Sequence, residues 1–326
     1  MNLGDRIRKM CRYRTTEEIA EELGLELEVV EGIISGSISD DALSDYNPDN
    51  KIDIRIVEKK TFVRSSVIGL ISLGSSGGTT LTASLASVAA LSNSESMVTA
   101  VDYNEFSTLG SSLGIQYSQG NYPSLAGWAV TETVDQYQIR HPAIKNLKIV
   151  LGPGSLNSYF GIPVNRMLLA LDSLGKSNDS VWVDCPRSPN LWQGLIKSMD
   201  IICFVVKPEG NSLYSLAQTA EGIEGLDKDK TFVVIRRDNE KEGLDIKSCI
   251  RIIENMTNLK TLGIVPYVSE MNKCTNSEQN FVLANKKSVY TGEILSIVRK
   301  LTPASSVGIT KKFKNEEGIK GLFHGR

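Results

Sequence analysis

Val67-Ile68-Gly69-Leu70-Ile71-Ser72-Leu73-Gly74-Ser75-Ser76-Gly77-Gly78-Thr79-Thr80-Leu81 is the stretch whose reading decides the fold. The apolar run that opens it is rich in branched residues and reads as a strand buried on both faces. A Gly/Ser loop and two threonines follow. Leu81 to Leu91 then predicts a buried helix whose small residues permit close packing. Strand, glycine loop and helix form the context a phosphate-binding loop needs. Glycines let the backbone curl so that several N–H groups converge on an anion, and the helix N-terminus adds partial positive charge. Thr79 falls where such loops place a magnesium-binding hydroxyl. Gly78 stands where the pattern G-x-x-x-x-G-K-[ST] has its lysine. On the loop alone, a plain Gly/Ser turn between strand and helix is an equal reading.

The flanking sequence extends the pattern. Apolar runs recur at Met97–Asp102, Lys148–Leu151, Val181–Asp184, Ile201–Val206, Thr231–Ile235 and Leu262–Pro266, separated by helical stretches such as the one opened by Pro163. Runs without polar alternation, spaced by helices, predict an α/β domain with a mostly parallel sheet covered on both faces. Ligands in such sheets sit at the carboxyl ends of the strands, where Gly74–Thr80, Asp102, Asp184 and Pro266 fall.

The chain of 326 residues carries 36 basic and 38 acidic side chains, so no global field favours nucleic acid. Its five cysteines are scattered without a C-x-x-C pair, which argues against a zinc site or disulfide framework and fits a reducing cytosol. His141 and His324 show no ligand pattern. Met1 to Arg14 lacks the apolar core of a signal peptide, and no apolar run has transmembrane length. The expected location is cytoplasmic. Trp128, Trp182 and Trp192 read as packing residues.

Four segments are expected: residues 1–36, 37–64, 65–302 and 303–326. The first carries a capped helix over Thr15–Leu25 and a second over Glu26–Ile34, with Ile19, Ala20, Leu23, Val29, Val30 and Ile33 as its core. The pattern resembles a helix-turn-helix module. Its second helix carries Glu26, Glu28 and Glu31 where a DNA reader needs Arg, Lys, Asn or Gln. Residues 1–50 hold five basic against twelve acidic side chains, although Arg6, Arg8, Lys9, Arg12 and Arg14 cluster ahead of the motif. Docking of a protein partner is the stronger reading, DNA the weaker. Residues 37–64 read as a linker, with an edge strand at Ile52–Val57. In the last segment Ile319, Leu322 and Phe323 share a helical face beside Lys312, Lys314, Lys320 and Arg326. Either this amphipathic tail touches anionic membrane weakly at its inner face, or it makes no lipid contact.

Over roughly Arg64 to Leu301 the chain resembles the ParA/MinD family of P-loop ATPases. Gly74 to Thr80 matches the family's deviant loop K-G-G-x-G-K-T-T. Val101-Asp102-Tyr103-Asn104 with Leu109-Gly110 matches its "VDxD…LG" switch segment. Val181 to Pro186 matches the Walker B segment "iiDxP", and Leu262 to Tyr267 the late "lG.iPyd" segment beside adenine. Leu147–Pro153 and the helix at Pro163–Leu174 look most like the pilus-associated CpaE/TadZ branch. The resemblance implies ATP or ADP with magnesium, held by Gly74, Ser75, Ser76, Gly77, Gly78, Thr79, Thr80, Arg236 and Pro266. Thr79 and, through water, Asp184 would serve the metal, and Asp102 and Asn104 stand at the switch positions. It also implies a homodimer. The departures are specific: Leu73 replaces the signature lysine, Gly78 the loop lysine, Asn104 the second switch acid and Arg236 the adenine-side asparagine. Both lost lysines stabilise spread-out phosphoryl charge, so hydrolysis is expected to be weak or absent. Arg187 is a candidate substitute charge, although a solvated loop arginine is the plainer reading. Two other readings stay open: an active partitioning ATPase whose N-terminal unit binds DNA, and a scaffold without ligand.

Overall fold

The computed structural model describes residues 3–11, 13–23, 25, 27–35, 66–74, 76–116, 122–128, 133–237 and 243–302. Ser75, the expected linker with its edge strand, and the C-terminal tail lie outside the described residues. The chain divides into two compact units, Met1–Val63 and Arg64–Arg326.

The first unit has three helices, α1 (Leu3–Met10), α2 (Thr16–Leu23) and α3 (Leu27–Ser35). Thr15 and Glu18 cap α2 reciprocally. The Glu18 N–H donates to Thr15 Oγ1 (3.3 Å) and the Thr15 N–H to Glu18 Oε2 (3.0 Å). Ile19, Ala20, Val29, Val30 and Ile33 form the expected core with Leu23 packed against it. The first helix was not expected. Among its described side chains Ile7 is the one fully buried apolar group, too little to register as a period in so basic a segment, yet Ile7 completes that core.

The second unit is an eight-stranded sheet flanked by helices. Its strands are β1 (Ser66–Ser72), β2 (Val98–Asp102), β3 (Gln138–Arg140), β4 (Leu147–Val150), β5 (Ser180–Asp184), β6 (Ile201–Val206), β7 (Thr231–Arg236) and β8 (Lys260–Val265), in the order β3-β4-β2-β5-β1-β6-β7-β8. Only β3 runs antiparallel, paired to β4 at the edge. From β1 the chain moves one way to build β2 to β4, returns to slot β5 beside β1, and then builds the other half. The segment after β1 therefore lies at the reversal of strand order, where α/β sheets open a crevice.

The alternation of side chains along β1 explains its unbroken apolar run. Val67 and Ile71 enter one core layer, Ile68 and Leu70 the other. One layer is closed by α7 (Val164–Ser177), α8 (Pro189–Ile196), α9 (Gly210–Gly222) and α10 (Ile246–Thr257). The other is closed by α4 (Gly78–Ser92), α11 (Glu270–Asn276), α12 (Phe281–Ala284) and α13 (Val289–Leu301). Two short helices, α5 (Leu109–Ser112) and α6 (Leu156–Phe160), follow β2 and β4. Helix α4 is buried around nearly its whole circumference, which its Ala, Ser and Thr residues make sterically feasible. Trp128, Trp182 and Trp192 are all core residues. No helix among the described residues is long and apolar enough to cross a membrane.

Candidate nucleotide site

The loop between β1 and α4 is fixed by a chain of hydroxyls. Ser76 Oγ donates to the Val205 carbonyl on β6 (2.6 Å). That leaves Ser72 Oγ to donate to Ser76 Oγ (2.8 Å), while the Gly78 N–H donates to Ser72 Oγ (3.3 Å). Gly77, with φ of 74°, takes the left-handed conformation that turns the chain into α4. At Gly78, where the resemblance places a lysine, a Cβ would stand 2.8 Å from Ser72 Cβ. The position thus lacks both the charge and the room for it. Leu73 is buried in the core and its N–H donates to the Val205 carbonyl (3.0 Å). At neither lysine position does the chain project a cation.

Thr79 Oγ1 donates to Asp184 Oδ2 at 2.7 Å, joining the first turn of α4 to the end of β5. Asp184 is the register partner of Asp102 at the end of β2, and both are buried. Burial pushes Asp102 up to about 6, against hydrogen bonds from the Leu109 N–H, Ser107 and the Asn104 N–H. Burial, then the neighbouring Asp102, pushes Asp184 well above the carboxylate range; bonds from Thr79 and Asn104 and the charge of Arg187 oppose this. The Asp184 carboxylate and the Thr79 hydroxyl are hard-oxygen donors of the kind magnesium takes, and its charge would favour the ionised carboxylate. Among the described residues no cluster of His, Cys, Asp and Glu alone would hold a metal ion, so such an ion would need oxygens from a ligand as well.

Asn104 is buried and held as a turn. Its N–H donates to Asp102 Oδ1 (3.1 Å), its Oδ1 accepts the Phe106 N–H (3.2 Å), and its Nδ2 lies 3.5 Å from Asp184 Oδ2. The neighbouring Glu105 was missed in the sequence. Its carboxylate accepts the Arg187 and Ser188 N–H groups (2.8 and 2.9 Å), tying the segment after β2 to the head of α8. An acid directly after the switch position was the available signal. The Arg187 guanidinium lies 5.7 Å from the centre of the Phe106 ring. Ser72 was missed too, because its role depends on the loop folding back over it.

Arg236 ends β7, and its Nη1 donates to the Ser76 carbonyl at 3.1 Å. The structure therefore brings Gly74, Ser76, Gly77, Gly78, Thr79, Thr80, Asp102, Asn104, Asp184 and Arg236 to the carboxyl ends of the strands. Pro266 follows β8 and lines a cavity of about 520 Å³ with Ile250, Thr261, Val289 and Glu293. That cavity contains none of the loop residues. His141, rejected as a metal ligand, is a buried structural residue. Its Nδ1 accepts the Ala143 and Ile144 N–H groups and its Nε2 bonds the Leu113 carbonyl.

No family model matches the chain, and no curated protein matches it. Solved structures do. A ParA family ATPase from Chlorobium tepidum superposes with a TM-score of 0.62 at 18% identity, covering 72% of this chain and 97% of that one. The fold is that of the ParA/MinD ATPases. The septum site-determining protein MinD from Pyrococcus horikoshii, complexed with Mg-ADP, shares the ParA/MinD fold with a TM-score of 0.62 at 17% identity, over 73% of this chain and 96% of its own. MinD in the MinC:MinD cell division complex of Aquifex aeolicus gives 0.59 at 20% identity, over 74% and 97%.

Proposed function

We propose that this chain is a ParA/MinD-like nucleotide-binding protein that holds ATP or ADP with magnesium and hydrolyses ATP slowly or not at all. The observation that carries the reading is the joint state of the loop. Thr79 and Asp184 are in contact at the head of α4, while Leu73 is buried and Gly78 is packed on Ser72. Thr79 and Asp184 offer oxygens that would serve a magnesium nucleotide, while neither lysine that stabilises phosphoryl transfer is present. Gly77, Gly78, Thr79 and Thr80 would bind phosphate through backbone N–H groups, with Thr79 and Asp184 serving the metal. Bound magnesium neutralises phosphate charge. The Mg-ADP complex of the Pyrococcus protein supports this choice of ligand.

In this reading the nucleotide sets a conformation or a dimer rather than driving turnover. The chain positions cell machinery such as a pilus or secretion system, as its CpaE/TadZ-like segments suggest, from the cytoplasm. The first unit docks a protein partner. Glu17, Glu18, Glu21, Glu22 and Glu31 are exposed on α2 and α3, a surface that phosphate repels. Melting the intact chain with Mg-ADP and Mg-ATP tests the ligand: concentration-dependent stabilisation is expected, and a flat response contradicts it. Retention on duplex DNA at physiological salt tests the partner class: tight retention lost with residues 1–60 would replace docking by DNA binding.

A further inference from the structure

The loop lacks both lysines, yet a cation stands against it. Along β7, Val233 and Ile235 face the layer of α7 to α10, and Val234 faces the layer of α4 and α13. Strand alternation gives Arg236 the side of Val234, toward the head of α4. Its stem spans the width of β6 to reach the loop that follows β1, where Nη1 donates to the Ser76 carbonyl (3.1 Å). The guanidinium lies on the face of Gly77 that has no side chain; a Cβ there would overlap it. Its charge also acts on the Tyr290 hydroxyl, which is hydrogen-bonded to Ser84 in the second turn of α4 (2.9 Å).

We propose that Arg236 is the phosphate-neutralising residue of this site, delivered from β7 in place of the lysine that Gly78 cannot be. The proposal rests on the nucleotide reading above and names the residue on which it depends. A guanidinium keeps its charge at any physiological pH and offers a planar fork of donors that matches phosphate oxygens. One donor on Ser76 fixes it to the loop whose N–H groups and helix terminus favour an anion. Arg236 is thus a binding residue for the phosphates. It would not reproduce a lysine carried on the loop itself, consistent with binding that outlives hydrolysis. Arg187 lies elsewhere, over the Phe106 ring and with its charge acting on Asp184, whereas Arg236 is the cation bonded to the loop itself.

The test is titration of the intact chain and of Arg236→Ala, Arg236→Gln and Arg236→Lys with Mg-ADP, pyrophosphate and adenosine, followed by calorimetry. Melting of each ligand-free variant shows that it is folded. The expected result is at least tenfold weaker Mg-ADP and pyrophosphate binding in Arg236→Ala and Arg236→Gln. Arg236→Lys should be intermediate, and adenosine binding unchanged. Unaltered or tighter Mg-ADP binding in Arg236→Ala would overturn the proposal and leave the nucleotide reading standing. Failure of the unmodified chain to bind any of the phosphates would overturn both.

Discussion

At the scale of single residues, the site is costly to fold. Asp102 and Asp184 lie side by side on adjacent strands, and burial raises both. For an acid whose folded pKa is raised, the folded state holds its proton more firmly than the unfolded chain. The cost is therefore absent below the unfolded carboxylate value of ~4, grows as pH rises from there to the folded pKa, which for Asp102 is about 6, and is complete above it. We expect Asp184→Asn to stabilise the ligand-free chain by ~1–3 kcal/mol at pH 7, because the amide can still accept the Thr79 hydroxyl. The same change should weaken Mg-nucleotide binding. Urea denaturation at pH 4 and pH 7 checks this: a gain at pH 7 that fades at pH 4 is expected, and destabilisation at pH 7 would show that the carboxylate is structural. Thr79, Asp102 and Asp184 were legible in the sequence because each sits at a fixed offset from a strand end. Ser72 and Glu105 were not, because their partners, the Ser76 hydroxyl and backbone N–H groups, are brought near only by the folded chain.

At the scale of elements, strands with uninterrupted apolar runs were the most legible, since burial on both faces leaves no polar alternation to misread. The antiparallel edge strand β3 is three residues long and half exposed, and has no such run. Helix α1 was missed for the matching reason, a single buried isoleucine. His141 shows how an irregular element is fixed. It follows β3 and bonds the Leu113 carbonyl just beyond α5, so it fastens the segment after β2 to the sheet edge. Because Nδ1 accepts two N–H groups, the proton sits on Nε2 and the ring is neutral. Burial holds its pKa below the usual histidine value, against the bond to Leu113. As pH falls below about 6.5 the unfolded chain is protonated first, so the stability His141 contributes is full above that value and is lost below it. We expect His141→Gln to cost ~1–2 kcal/mol at pH 7.5 and less at pH 5.5. A cost that does not shrink would mean that the imidazole is not held neutral.

At the scale of the whole molecule, the ParA/MinD fold is present while its charges have been redistributed. The reversal of strand order at β1 opens a crevice at the carboxyl ends of the strands, and the Thr79–Asp184 contact lies in it. The lysine positions hold Leu73 in the core and Gly78 against Ser72, and a cation arrives instead from β7. Fold alone does not settle chemistry, so the claim stands on these residues. The departures from the lysine pattern were legible in the sequence; the approach of Arg236 to Gly77 was not, because it joins positions 159 residues apart, on strands separated by β6. The central claim is that the site binds nucleotide and turns ATP over slowly or not at all. Its most direct test is to mix the intact chain, in excess, with magnesium and ATP labelled on the γ-phosphate, and to follow bound ATP and free phosphate together over hours. ATP that stays bound and intact is the predicted result. Phosphate release as fast as in a family member with both lysines and abolished by Thr79→Ala, or no bound ATP at all, would contradict the account.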